Sequence, residues 1–102
     1  MDYNSSMLEV RETLIFSRWL ETLSDAKARI LVQARILRLR QGNPGDVKPV
    51  GEGVSEARID FGPGYRVYWV LRNKRLILLL AGGTKKTQDK DLKSALMLAR
   101  TV

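Results

Sequence analysis

The chain has 102 residues, 44% of them apolar and 28% charged, with 8 Gly and 3 Pro, which suits one two-layer globular domain and leaves no room for a second. It contains no cysteine and no histidine, so a disulfide framework, thiolate or imidazole metal ligation and any histidine-based triad are excluded. The 18 Lys and Arg against 11 Asp and Glu leave a net charge of +7, which favours a polyanionic partner.

Residues 1–6 lack a basic region followed by an apolar one, and so read as a flexible leader rather than a secretory signal. Met7 to Arg11 alternates apolar and polar residues, which predicts a first strand. Thr13 is placed to cap a helix whose Phe16, Trp19, Leu20 and Leu23 recur at helical spacing. Ser24 and Asp25 end that helix and cap the next, predicted from Ala26 to Gln41. The second helix carries one apolar stripe of Ala26, Ile30, Ala34 and Leu37, and another of Val32, Ile36 and Leu39. Lys27, Arg35 and Arg38 run along one flank between them, with Arg29 and Arg40 on the other. One stripe serves the sheet and the other faces the first helix or a partner chain. The two helices are expected to form an antiparallel hairpin.

Gly42-Asn43-Pro44-Gly45-Asp46 stops the second helix, and the stretch to Gly53 reads as a surface loop. Three strands are expected next, over Val54 to Phe61, Tyr65 to Arg72 and Leu76 to Ala81, the last two joined by a two-residue turn at Asn73-Lys74. The Leu76 to Ala81 run is far shorter than the ~20 residues of a membrane-spanning helix, so a soluble, cytoplasmic protein is expected. Thr87 or Asp89 caps a C-terminal helix with Leu92, Ala95, Leu96 and Ala99 on one stripe. This order predicts a single α+β domain over residues 1–102: a mainly antiparallel four-stranded sheet with an N-terminal helical hairpin on one face and a C-terminal helix.

A three-residue Gly62-Pro63-Gly64 loop pairs Phe61 with Tyr65, Asp60 with Arg66, Arg58 with Tyr68 and Glu56 with Val70, which keeps each face chemically uniform. Glu56, Arg58, Asp60, Arg66 and Tyr68, with Arg72 further along, then share one solvated face. From Phe61 to Gln88 the chain has Arg66, Arg72, Lys74, Arg75, Lys85 and Lys86 and no acid. Guanidinium groups on a rigid sheet can hold a phosphate bidentately and stabilise the charge on a pentacovalent phosphorus, while Tyr68 can relay a proton or stack on a base. A wet antiparallel face with alternating charges accounts for the same pattern without chemistry. Gly82-Gly83-Thr84-Lys85-Lys86 reads either as a phosphate-holding turn or as a flexible connector into the last helix.

The run Glu56-Ala57-Arg58-Ile59-Asp60-Phe61-Gly62-Pro63-Gly64-Tyr65-Arg66-Val67-Tyr68, together with Gly82-Gly83-Thr84-Lys85-Lys86-Thr87-Gln88, resembles the RelE/ParE toxin superfamily, and within it the HigB-like addiction-module killer proteins. The Phe16 to Leu23 helix and the Asn43 to Lys48 loop resemble the same branch. The resemblance implies a RelE-like fold and the toxin of a type II toxin–antitoxin system, a ribosome-dependent endoribonuclease that cuts mRNA by 2′-hydroxyl attack on the adjacent phosphate. It implies neither metal nor cofactor, and it implies as partners a cognate antitoxin of helix-turn-helix type, the ribosome and mRNA. Position by position, it implies phosphate and transition-state contacts for Arg66 and Arg58 and leaving-group or backbone contacts for Lys85 and Lys86, with Tyr68, Lys85 and Glu56 as candidate proton donors; Arg72, Lys74 and Arg75, from the acid-free basic segment, are further candidate RNA contacts. A gyrase-inhibiting toxin of the ParE kind and a non-catalytic nucleic-acid-binding module are the alternatives. The stripe of Val32, Ile36 and Leu39 is a candidate antitoxin surface, with packing against the first helix as its alternative.

Overall fold

The computed structural model describes residues 7–102; the expected leader lies outside the described residues. Strand β1 (Glu9–Glu12) leads into helices α1 (Leu14–Thr22) and α2 (Ala26–Arg40). Strands β2 (Val47–Gly51), β3 (Val54–Ile59), β4 (Tyr65–Arg72) and β5 (Leu76–Thr84) follow, and a 3-10 turn at Lys85–Thr87 feeds helix α3 (Gln88–Thr101). The α+β class and the predominantly antiparallel sheet are as expected. The sheet has five strands in the order β1-β5-β4-β3-β2, with β1 parallel to β5.

The additional strand, β2, lies in the stretch read as a loop. Pro49 and the nearby glycines argue against a central strand, but β2 sits at the sheet edge, where a missing N–H is tolerated.

The caps predicted for the first two helices form, whereas Thr87 holds the N-cap position of α3 without a side-chain capping hydrogen bond. The Thr13 hydroxyl accepts from the Phe16 N–H at 3.0 Å, and Asp25 accepts from the Lys27 and Ala28 N–H groups. The Thr13 hydroxyl also donates to the Leu80 carbonyl at 2.7 Å, fixing the start of α1 on β5. Asn73 and Lys74 both take positive φ, and the Arg75 N–H closes the turn on the Arg72 carbonyl at 3.1 Å.

The β3–β4 register is displaced by two residues from the predicted one: Arg58 lies opposite Arg66, Glu56 opposite Tyr68 and Ile59 opposite Tyr65. The connection is five residues long because the Phe61 N–H turns back to the Ile59 carbonyl and the Gly64 N–H to the Phe61 carbonyl, which takes Asp60 and Phe61 out of the ladder. An even slip preserves the side of the sheet, so the division into faces survives.

The polar face is not an open wet surface. One core joins Phe16, Val32 and Leu39 of the first two helices to Ala57, Val67 and Leu79 of the sheet. A second core places Ala95 of α3 over Val54, Tyr68, Val70 and Leu80 on the opposite face. Between Tyr68 and Trp69 the β4–β5 pairing shifts by one, so that Leu80 is a bulge and both Leu80 and Ala81 join the α3 side.

In α2 the core-facing residues are Ala28, Val32 and Leu39, with Ile36 partly buried, whereas Ile30 and Leu37 are exposed. The candidate antitoxin stripe Val32, Ile36 and Leu39 is therefore corrected to a core stripe. Its hydrophobic surface is spent on the sheet. Among the described residues no helix is long and apolar enough to cross a membrane.

Candidate nucleic-acid interface

Beyond the N-terminal end of α3 the sheet face emerges from cover, and a single cross-strand row defines the site. The carbonyl of Asp46, just before β2, accepts from the Arg58 N–H; Arg58 on β3 faces Arg66 on β4; Arg66 faces Gly83 on β5. A cleft of about 340 Å³ opens along this row, lined by Asp46, Arg58, Ile59, Asp60, Gly64, Arg66 and Lys85. Three cations from three separate elements thus converge on one opening.

The Gly62-Pro63-Gly64 turn explains how Lys85 reaches it. Gly64 has φ of 78°, and its carbonyl accepts both the Lys85 N–H at 2.8 Å and the Arg66 Nη1 at 3.1 Å. The positive φ favours glycine here, and a Cβ would also crowd the Arg66 guanidinium at 3.3 Å.

Behind the cleft lies a buried polar network. Glu56 is 0% exposed, and its Oε2 accepts from the Tyr68 hydroxyl and from the Gln88 amide, each at 2.9 Å. Its Oε1 faces the Arg66 Nε at 3.7 Å, an ion pair too long for a hydrogen bond, with the Arg66 side chain only 12% exposed. Burial, and then the Glu56 carboxylate, push the Tyr68 phenol well above its ordinary range, so Tyr68 remains a proton donor to Glu56. Arg66 is consequently held from behind, with its inner edge on Glu56 and its outer edge on the cleft.

Arg58 pairs with Asp46 at 2.9 Å, both groups about half exposed. Arg35 of α2 donates to the carbonyls of Arg58, at 2.9 Å, and Asp46, so the basic flank of α2 abuts the same site. Burial, and then the neighbouring Arg38, lower the Arg35 pKa.

A family model described as phage-derived protein Gp49-like (DUF891) matches residues 18–101. The chain belongs to the Gp49-like family. This family is part of the RelE/ParE-like toxin superfamily. A Haemophilus influenzae protein described only as uncharacterized is 48% identical over 93 residues, covering 91% of this chain and 94% of that one. A chain of the crystal structure of the toxin–antitoxin complex RelBE2 from Mycobacterium tuberculosis superposes with a TM-score of 0.60 at 20% identity, over 78% of this chain and 99% of that one. At that identity the likeness is one of fold.

In this Gp49-like chain the sequence-predicted site residues separate into two groups. Arg58, Arg66 and Lys85 line one cleft, and Lys86 follows them in the exposed 3-10 turn. Arg72, Lys74 and Arg75 stand at the other end of β4, where they line a second opening with Met7, Leu8 and Glu9. Arg72 lies six positions along β4 from Arg66, roughly 20 Å away. Arg72 is already engaged, donating to the Ala99 and Val102 carbonyls at the C-terminal end of α3. Tyr68, expected on an open face, lies wholly beneath α3.

Gly82 and Gly83 do not form a phosphate-holding turn but continue β5, buried between helices on both sides. Three site residues escaped sequence reading. Asp46 is brought in by the unread strand β2, and Arg35 by the packing of α2. Gln88 does stand in the Gly-Gly-Thr-Lys-Lys-Thr-Gln motif, but its contact to Glu56 depends on where α3 lies.

Proposed function

We propose that the protein is the toxin of a toxin–antitoxin pair and that it cleaves mRNA on the ribosome by attack of a 2′-hydroxyl on the adjacent phosphate. The observation that carries this reading is the convergence of Arg58, Arg66 and Lys85 on one cleft, with Arg66 braced by a buried carboxylate. Arg66 would hold the scissile phosphate and offset the extra negative charge on the pentacovalent phosphorus, with Arg58 beside it as a further phosphate contact. Lys85 would contact or protonate the departing 5′-oxygen. Tyr68 enters as a positioning residue, since its hydroxyl serves Glu56 and Glu56 serves Arg66. Lys86, with Lys74 and Arg75 farther off, would extend the backbone contacts. The RelBE2 relative forms a complex with an antitoxin, which supports an antitoxin partner here.

Primer extension on a message translated in vitro tests the reading. Purified protein is expected to give cuts that require ribosomes. An intact message, together with a DNA-damage response when the protein is induced in cells, would instead favour the gyrase-directed toxin.

Arg72 separates RNA contact from scaffolding. Arg72→Ala is expected to lower stability by about 1 kcal/mol through loss of the α3 carbonyl contacts, and to leave the salt dependence of RNA binding unchanged. A flatter salt slope in anisotropy titrations would return Arg72 to the RNA surface.

A further inference from the structure

We propose that Asp46 is an internal stand-in for a backbone phosphate. In the free protein its carboxylate occupies the Arg58 end of the cleft, and it yields that place to a second phosphate, adjacent to the scissile one, when single-stranded RNA binds. This rests on the RNA reading above and adds to it a phosphate subsite and the group that guards it.

The carboxylate is not needed to hold its own loop. The Asp46 carbonyl already accepts from the Arg58 N–H at 2.9 Å and from Arg35 at 3.4 Å, so the backbone is fixed without the side chain. The ion pair itself is exchangeable. It is a single contact from Arg58 Nη2 to Asp46 Oδ1, with side chains 42% and 54% exposed, rather than a buried two-point fork. Glu56, the carboxylate buried behind the cleft, is the opposite case, with no exposure and two hydrogen-bond donors besides Arg66.

What surrounds Asp46 favours an incoming anion. Arg38 reaches over Gly45 beside Arg35, and Arg66 and Lys85 line the same cleft, so with Arg58 five cations stand against Asp46, Asp60 and the buried Glu56 that faces Arg66, and positive charge remains in excess. A phosphodiester offers two unesterified oxygens to the guanidinium where the carboxylate now uses one. Arg58 can therefore exchange partners without moving along the sheet.

The test is anisotropy of a labelled single-stranded RNA of about eight nucleotides, titrated between roughly 50 and 200 mM salt. The proteins are the wild type, Asp46→Asn, Asp46→Ser, Arg58→Gln, the double variant of Asp46→Asn and Arg58→Gln, Arg66→Gln, and Asp60→Asn alone and with Arg58→Gln. Asp60→Asn removes a charge from the same cleft at a residue not paired with Arg58.

Asp46→Asn is expected to bind about two- to fivefold tighter, with a log–log salt slope steeper by about 0.7. The gain should vanish in the Arg58→Gln background, whereas any gain from Asp60→Asn should persist there. Asp46→Ser, which leaves no amide, should reproduce the gain, and thermal melting confirms that each variant is folded. Unchanged or weaker binding by Asp46→Asn, or a gain that survives Arg58→Gln, overturns the exchange. If the wild type shows no salt-dependent affinity and Arg66→Gln matches it, the RNA reading itself fails. Weakened binding by Arg66→Gln beside an unchanged Asp46→Asn defeats the Asp46 proposal alone.

Discussion

Arg66→Gln is expected to abolish growth arrest and message cleavage, and also to destabilise the fold by about 2 kcal/mol. The second effect follows from Glu56. Removing one member of a buried ion pair leaves the other charge uncompensated, a loss of roughly 3–5 kcal/mol when the pair is tight. Here the separation is 3.7 Å and Glu56 keeps its bonds from Tyr68 and Gln88, so the loss is smaller. Adding Glu56→Gln to Arg66→Gln should recover most of the stability. The oxygen of the amide introduced by Glu56→Gln would accept both existing bonds, since both now end on Oε2. Its nitrogen would then point to the amide introduced by Arg66→Gln, in place of the ion pair. Activity should not return, because neither amide stabilises a phosphorane charge as a guanidinium does. Urea unfolding of the four proteins measures the coupling between the two sites, and primer extension measures cleavage. Wild-type stability in Arg66→Gln would show that Glu56 does not depend on Arg66, and cleavage by the double variant would remove Arg66 from the chemistry.

That network marks where sequence reading stops. Thr13 and Asp25 were legible as caps because a cap is decided within three or four residues, and both cap as expected. The two faces of β3 and β4 were legible from alternation, and a slip of two residues left them intact while changing every cross-strand partner. The amphipathic stripe of α3 showed that the helix covers something, but not which face. Its placement over Tyr68 turned an expected wet surface into a second core, and left the end of the sheet near Arg58, Arg66 and Lys85 open. The basic residues likewise showed a partner's charge without showing which cations were already in use. Arg72 holds the end of α3, and Arg100 forms a two-point pair with Glu52. Strand β2 stayed hidden because its edge position, and not its composition, makes Pro49 acceptable.

The glycine pair gives the largest stability effect, and the two positions should differ. A Cβ at Gly82 would come within 2.2–2.5 Å of atoms of the six-membered ring of Trp19, and one at Gly83 would fall on the Asp91 carboxylate with the Thr87 hydroxyl close by. Trp19 cannot easily give way, since its ring packs against buried Phe16 with centroids 5.6 Å apart, and α1 is tied to β5 through Thr13. Gly82→Ala must therefore lift α1 from the sheet or distort β5 at the layer that forms the main core. We expect a loss of about 3 kcal/mol or more, at the upper end of overpacking effects. Asp91 is the end of a rotatable side chain in the first turn of α3, and it can swing away at the cost of its hydrogen bond from Thr87. Gly83→Ala should therefore cost about 1–2 kcal/mol. Asp91→Ala in the same chain should recover part of that loss, because it removes the clashing atoms. No comparable single truncation relieves Gly82→Ala, since Trp19→Ala would itself open a cavity. Urea unfolding orders the variants, and equal losses at the two glycines would mean that α1 and α3 yield alike to an added methyl group. Gly83→Ala carries a further consequence that Gly82→Ala lacks. Gly83 stands opposite Arg66, so displacing Asp91 and the first turn of α3 also disturbs Gln88 and the Glu56 brace. Cleavage should then fall in Gly83→Ala by more than its folded fraction accounts for, while in Gly82→Ala the two should fall together.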